Sequence, residues 1–229
     1  MSDEKSHIPS ECRSKAAKAT DLVSISYESL TSLFECTNNK FCMRTNDDKG
    51  KLLESLLHKI HEAYASTDSL GIIVLKDMPK NYSTLRMKVL PLAQKLVNLS
   101  PVDLEAMTIP NADFQVGWSY GKEKLDKDRV DIAKGSFYFI PLTDNILNDI
   151  ASRDNCHLED IVGWDNTAYK TPNVWPSTSN LKEFEGSLKE MGRMVHRIGL
   201  AIAQLCDEYL SRHVRHNPFH TYVTFLVEK

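Results

Sequence analysis

His157-Leu158-Glu159 is the one place in this chain where a histidine is followed two residues later by a carboxylate. An H-x-D/E pair with a distant second histidine is what a mononuclear iron centre needs, because three ligands on one face leave positions open for O₂ and substrate. Among 8 histidines and 31 acidic residues, such a triplet arises by chance about once. It lies in the polar stretch CHLED, so a surface loop is expected there and not a ligand set. His213, His216 and His220 form H-x2-H-x3-H, a spacing that suits a transition metal, but no cysteine or carboxylate lies close by. A solvated tail is expected. His58, His61 and His196 fall in amphipathic stretches and are expected on helix surfaces or boundaries. His196 is turned about 100° from Val195 on the apolar stripe, which should point it away from the core. No catalytic residue and no specific metal site is therefore expected in this chain. The segment GKEKLDKDR lacks the G-x-x-x-x-G-K-[ST] spacing of a phosphate loop.

The elements that would position any site follow from periodicity. LVSISY, residues 22–27, alternates and predicts a strand, with a short helix after it to Glu35. CTNNKFCMRTNDDKG is expected as a loop. Leu52, Leu53, Leu56, Leu57, Ile60 and Tyr64 mark a helix over 49–65. LGIIVL, residues 70–75, predicts a buried strand. A helix over 82–99 carries Leu85, Val89, Leu92 and Leu96 on one side, with a kink or break expected at Pro91. Ser100-Pro101 caps a short helix to Met107. Strands are expected near 113–119 and 136–140, and one more over Tyr222–Val227. Asn180 and Glu183 open a long helix over 180–212. Its apolar positions, Leu181, Phe184, Leu188, Met191, Val195, Ile198, Ile202, Leu205 and Tyr209, alternate in steps of three and four. That spacing fits a helix laid across a domain or a coiled coil. The aromatic strip Trp118, Tyr120, Phe137 and Tyr138 suits either core packing or the lining of a substrate mouth.

The totals narrow the class. With 229 residues and 41% hydrophobic content, the chain can bury a sizeable core. A net charge of −3 supplies no basic footprint for nucleic acid and no polybasic membrane patch. The polar first twenty residues resemble no secretory signal, and LGIIVL is too short to span a bilayer. Five scattered cysteines, at 12, 36, 42, 156 and 206, suggest reduced thiols in a cytoplasmic setting. The expected fold is α/β (α+β), with helices around a small, incomplete sheet. A loose arm over 1–20, one domain over 21–212 and a divergent tail over 213–229 complete the outline.

Four blocks occur in a telling order: GIIVLKDMP at 71–79, VGWSYGKEKL at 116–125, KGSFYFIP at 134–141 and PNVWP at 172–176. With LPLAQKL at 90–96, they resemble the N-terminal half of non-haem iron dioxygenases similar to isopenicillin N synthase, many of which use 2-oxoglutarate. The resemblance covers about residues 20 to 212. It implies the N-terminal part of a double-stranded β-helix (jelly-roll) oxygenase. It also implies Fe(II) held by two histidines and a carboxylate, with an R-x-S pair on the co-substrate carboxylate, all placed after the long helix. No R-x-S triplet occurs in this sequence, and only about twenty residues follow Tyr209. The chain is therefore expected to be a member or fragment of this oxidoreductase family that is inactive as it stands. The alternative is a non-catalytic protein-interaction module derived from it. Fe(II) and 2-oxoglutarate belong to the full-length family, and no cofactor is expected on this chain. By the resemblance, Lys134, Ser136 and Tyr138 are substrate contacts, and the aromatic strip adds Trp118 and Tyr120 as candidates, while Lys122 and Glu123 are expected as solvated charges. The partners implied are a small-molecule substrate in the full-length family and a partner chain on the 181–209 helix face. Neither nucleic acid nor membrane is expected.

Overall fold

Leucine spacing shapes the first part of the chain. In the computed structural model, which describes residues 22–37, 40–43, 47–127, 129–145, 170–177 and 181–213, these leucines lie on a helix, α2, over Asp47–Ile60. Leu53, Leu56, Leu57 and Ile60 are all buried, as one i, i+3, i+4 face requires. The helix continues as a π-helical turn, His61–Ala65, in which the Ser66 amide donates to the His61 carbonyl five residues back. The wider turn rotates the following residues, so Ala63 is buried and Tyr64 is 41% exposed. Tyr64 thus leaves the stripe to which its spacing assigned it.

Strand β1, Ser24–Ser26, pairs in parallel with β4, Val74–Lys76, in the register Ser24↔Val74, Ile25↔Leu75 and Ser26↔Lys76. Both strands are shorter than the alternation suggested. Ser26 leaves β1 to cap α1, Tyr27–Ser32, its hydroxyl accepting from the Ser29 amide at 3.0 Å. Gly71 takes φ +67°, and its amide donates to the Ala63 carbonyl. This bend keeps Leu70 and Ile72 out of the ladder and more than half exposed, so LGIIVL is not one buried strand. The expected loop after α1 is instead an antiparallel hairpin, β2 (Phe34–Thr37) with β3 (Lys40–Met43). Its short pairing runs escaped a test built on apolar alternation.

Helix α3, Lys80–Val97, runs through Pro91 without a break. Pro91 lies on its exposed side, opposite buried Leu85, Leu92 and Leu96. Helix α4, Pro101–Ala106, opens as its sequence dictates, with proline at the first position and the Ser100 hydroxyl accepting from the Asp103 amide. Strands β5, Gly117–Tyr120, and β6, Gly135–Tyr138, pair antiparallel with Trp118 opposite Phe137 and Ser119 opposite Ser136. Helix α5 spans Phe184–His213. Asn180, the 1–20 arm, the Tyr222–Val227 strand and the tail beyond His213 lie outside the described residues.

The chain divides into two compact units, one holding residues 22–77 and 204–213 and the other residues 78–203. In the first, Ile25, Leu30, Leu33, Leu56, Ile60 and Leu205 are the most deeply buried apolar side chains. In the second, Leu92, Leu96, Met107, Trp118, Leu181 and Phe184 form one cluster, joined by half-buried Phe137, Val174, Trp175 and Leu188. The fold class is thus mixed helix and small two-stranded sheets.

Candidate functional site

Glycine sets the β5–β6 hairpin. Gly117 sits at φ +74°, and a Cβ there would lie 2.1 Å from the Met107 carbonyl oxygen, so only glycine fits. The Trp118 amide donates to that same carbonyl at 2.9 Å. Just upstream, Asp113 and Phe114 also hold left-handed backbone, at φ 50° and 58°. For a bulky residue this geometry costs about 1–3 kcal/mol. It persists here through the Phe114 amide, which donates to the Ile109 carbonyl, and the Gln115 amide, which donates to Ala112. The Lys122 ammonium stands 5.2 Å above the Phe114 ring.

On the hairpin, the buried Trp118 indole lies over Gly135, where a Cβ would meet it at 2.1 Å. It stacks with exposed Tyr120, centroids 6.4 Å apart. Ser136 is half-buried opposite Ser119. Lys134 pairs with Glu123 at 2.9 Å, and the Tyr138 hydroxyl donates to the same carboxylate at 3.1 Å. Ser119, Gly121, Lys122, Glu123, Asp131 and Lys134 line a shallow surface notch that encloses no cavity. The Lys134 and Tyr138 hydrogen bonds hold Glu123 below the usual carboxylate range, and Glu123 in turn raises Lys134. Both shifts favour the charged forms, so the two groups stand as a carboxylate and an ammonium held together at the surface. Glu123 is thus the hub that joins two of the expected contacts and not merely a solvated charge.

The polar centre of this unit lies elsewhere, in residues that spacing did not single out. The Asn173 side chain accepts from the Ile140 amide at 2.8 Å and donates to the carbonyls of Ile140 (2.8 Å) and Thr143 (2.9 Å). It also reaches Asp144 Oδ1 at 3.1 Å, which accepts from the Trp175 indole at 2.9 Å. Lys189, only 12% exposed, bridges Asp144 and Glu185 beneath the Trp175 ring. Burial opposes ionisation of Asp144, but hydrogen bonds from Lys189, Trp175 and Asn173 prevail and lower its pKa. Around this staple, Phe137 contacts Phe139, Trp175 and Phe184, the last edge-on at 5.0 Å. The only sequence cue to it was the proline-bounded PNVWP turn.

The histidines fall in several places. In the unit of residues 22–77 and 204–213, His61 Nδ1 lies 2.7 Å from the Tyr209 hydroxyl, and His213 stacks on Tyr209 at 4.2 Å. His58 pairs with Glu62 at 3.4 Å on the exposed face of its helix. His196 is half-buried. His157, Glu159, His216 and His220 lie outside the described residues. Among the described residues, no group of three or more histidine, cysteine or acidic side chains converges to hold a metal. No described helix is long and apolar enough to cross a membrane. A scan against protein-family models and searches of the curated proteins and of the solved structures each return no match.

Proposed function

We propose that this chain is the front portion of an oxidoreductase of the non-haem iron, 2-oxoglutarate-dependent dioxygenase kind, acting in the cytoplasm. It supplies the substrate-side scaffold but not the metal-binding half. One observation carries this. The blocks GWSYG, KGSFY and PNVWP, far apart in sequence, meet with the start of α5 in a single aromatic assembly. In that role β5–β6 begins the jelly roll, and Lys134, Ser136 and Tyr138 contact a small-molecule substrate at its mouth, while Trp118 and Tyr120 lie on the opposite face of the hairpin, where Trp118 packs the core. The described residues do not fit an iron centre themselves, since no ligand set converges and His61 is engaged by Tyr209. In this reading, oxidation of a substrate by O₂ belongs to a longer form. Sequencing the transcript past the Tyr209 codon tests the proposal. The expected result is an open frame carrying H-x-D/E, a second histidine and R-x-S, whereas a stop codon with no such exon beyond overturns it. The purified chain should also release no succinate from 2-oxoglutarate with Fe(II).

A second role, as a non-catalytic interaction module, is favoured by α5 itself. Val195, midway along the expected partner face, is 55% exposed, while Leu181, Phe184 and Leu205 toward its ends are buried within the chain. Light scattering of a concentrated sample separates the two roles, because a strict monomer argues against self-association through this face.

A further inference from the structure

Helix α3 presents a second apolar stripe, opposite the one it buries. Met87, Leu90 and Val97 are 68%, 54% and 51% exposed, although each is a large hydrophobic side chain. At about 100° per residue they fall within roughly 80° of arc, centred opposite buried Leu92. With Gln94, which lies inside the same arc, they are spaced 3, 4, 3, the seam of a helix that receives another helix. Pro91, which has no N–H, borders the seam.

Charge says what kind of partner. The eighteen residues of α3 include four basic side chains, Lys80, Arg86, Lys88 and Lys95, and no acidic one, in a chain whose net charge is −3. Arg86 borders the stripe on one side and Lys80 on the other, whereas Lys88 and Lys95 lie about 80–100° beyond Met87, toward the buried face. Among the described residues only Lys88 of these four forms an ion pair, with Glu183 at 3.3 Å. We infer that the exposed face of α3 docks an acidic amphipathic helix of another protein. The partner's apolar residues would cover Met87, Leu90 and Val97, and its flanking carboxylates would pair with Arg86 and Lys80. An anionic bilayer fits less well. The arc holds no aromatic anchor and places Gln94 at its centre. Asp103 and Glu105 follow closely on α4, beside exposed Val102.

The test uses the full chain and a labelled synthetic helix of about three heptads, with leucine at a and d and glutamate at e and g. Fluorescence anisotropy should show saturable binding that weakens at high salt. Met87→Ser with Leu90→Ser should weaken it at least about tenfold, and so should Arg86→Glu with Lys80→Glu, a loss worth about 1.4 kcal/mol. Unchanged circular dichroism in both variants shows that folding is intact. The same helix with lysine at e and g should not bind. The proposal is overturned if both helices bind equally, if neither pair of substitutions changes binding, or if the chain ignores the acidic helix. Co-sedimentation with vesicles of about 30% phosphatidylserine that these substitutions abolish, without acidic-helix binding, would assign the face to a membrane instead.

Discussion

Replacing Asn173 with alanine probes the junction on which the aromatic assembly depends. The amide makes one accepting contact, from the Ile140 amide, and three donating contacts, to Ile140, Thr143 and Asp144. It has two N–H groups, so at most three bonds form at once. At about 0.5–1.5 kcal/mol each, and with the orphaned groups only part-buried and partly rehydrated, the expected loss is about 2–3 kcal/mol. For a unit of this size that lowers Tm by roughly 5–10 °C. Urea unfolding followed by tryptophan emission reports on it directly, since Trp118 and Trp175 belong to the same unit. Asn173→Asp keeps the acceptor but removes both donors and sets a second carboxylate beside Asp144, so at pH 7 it should destabilise at least as much. Acid titration adds a check of sign. The folded pKa of Asp144 lies below its unfolded value, so its contribution is complete above about pH 4 and disappears as pH falls through the lower folded value. Stability of the parent chain should therefore fall on acidification, and that of Asp144→Asn should fall less. If either Asn173 variant unfolds within about 0.5 kcal/mol of the parent, the staple is not what joins the 140–144 turn to PNVWP.

Two further outcomes follow from single atoms. Gly117→Ala should cost about 2–4 kcal/mol, because its methyl meets the Met107 carbonyl. Gly121→Ala, also at positive φ but facing only the Ile132 side chain at 3.8 Å, should cost about 1–2 kcal/mol; equal losses in thermal unfolding would refute the clash. Burial, and then the charge of Asp207, push the Cys206 thiol up to about 11, so it should resist iodoacetamide at pH 7.5 in the folded chain. Mass spectrometry should find the same number of alkylated sites in parent and Cys206→Ser under native conditions, and one fewer in the variant after unfolding in urea. The raised pKa also means that this group's contribution is complete below about pH 8.5 and declines as pH rises toward the folded value.

By itself the sequence determined the elements whose signal is local. The leucine face of α2, the serine–proline start of α4 and the long α5 need only periodicity and capping, which act within a few residues. The class of mixed helix and small sheets followed from the same signals. Tertiary structure decided what depends on residues distant in the chain. The π-helical turn rotated Tyr64 off its stripe, and the bend at Gly71 left only Val74 and Leu75 of LGIIVL paired. At the candidate site, the family resemblance suggested Lys134, Ser136 and Tyr138 and the aromatic strip suggested Trp118 and Tyr120; the fold brought them onto or beside one hairpin but set Trp118 and Tyr120 on the face opposite Ser136 and Tyr138. That Glu123 would tie Lys134 to Tyr138 had no local sign, because the three come together only when β5 and β6 pair. Asn173 was likewise invisible. An asparagine between proline and valine looks like any turn residue until Ile140, thirty-three positions away, offers both its amide and its carbonyl. Periodicity reports which face of an element is buried, whereas a polar junction is defined by partners that only the folded chain brings within 3 Å.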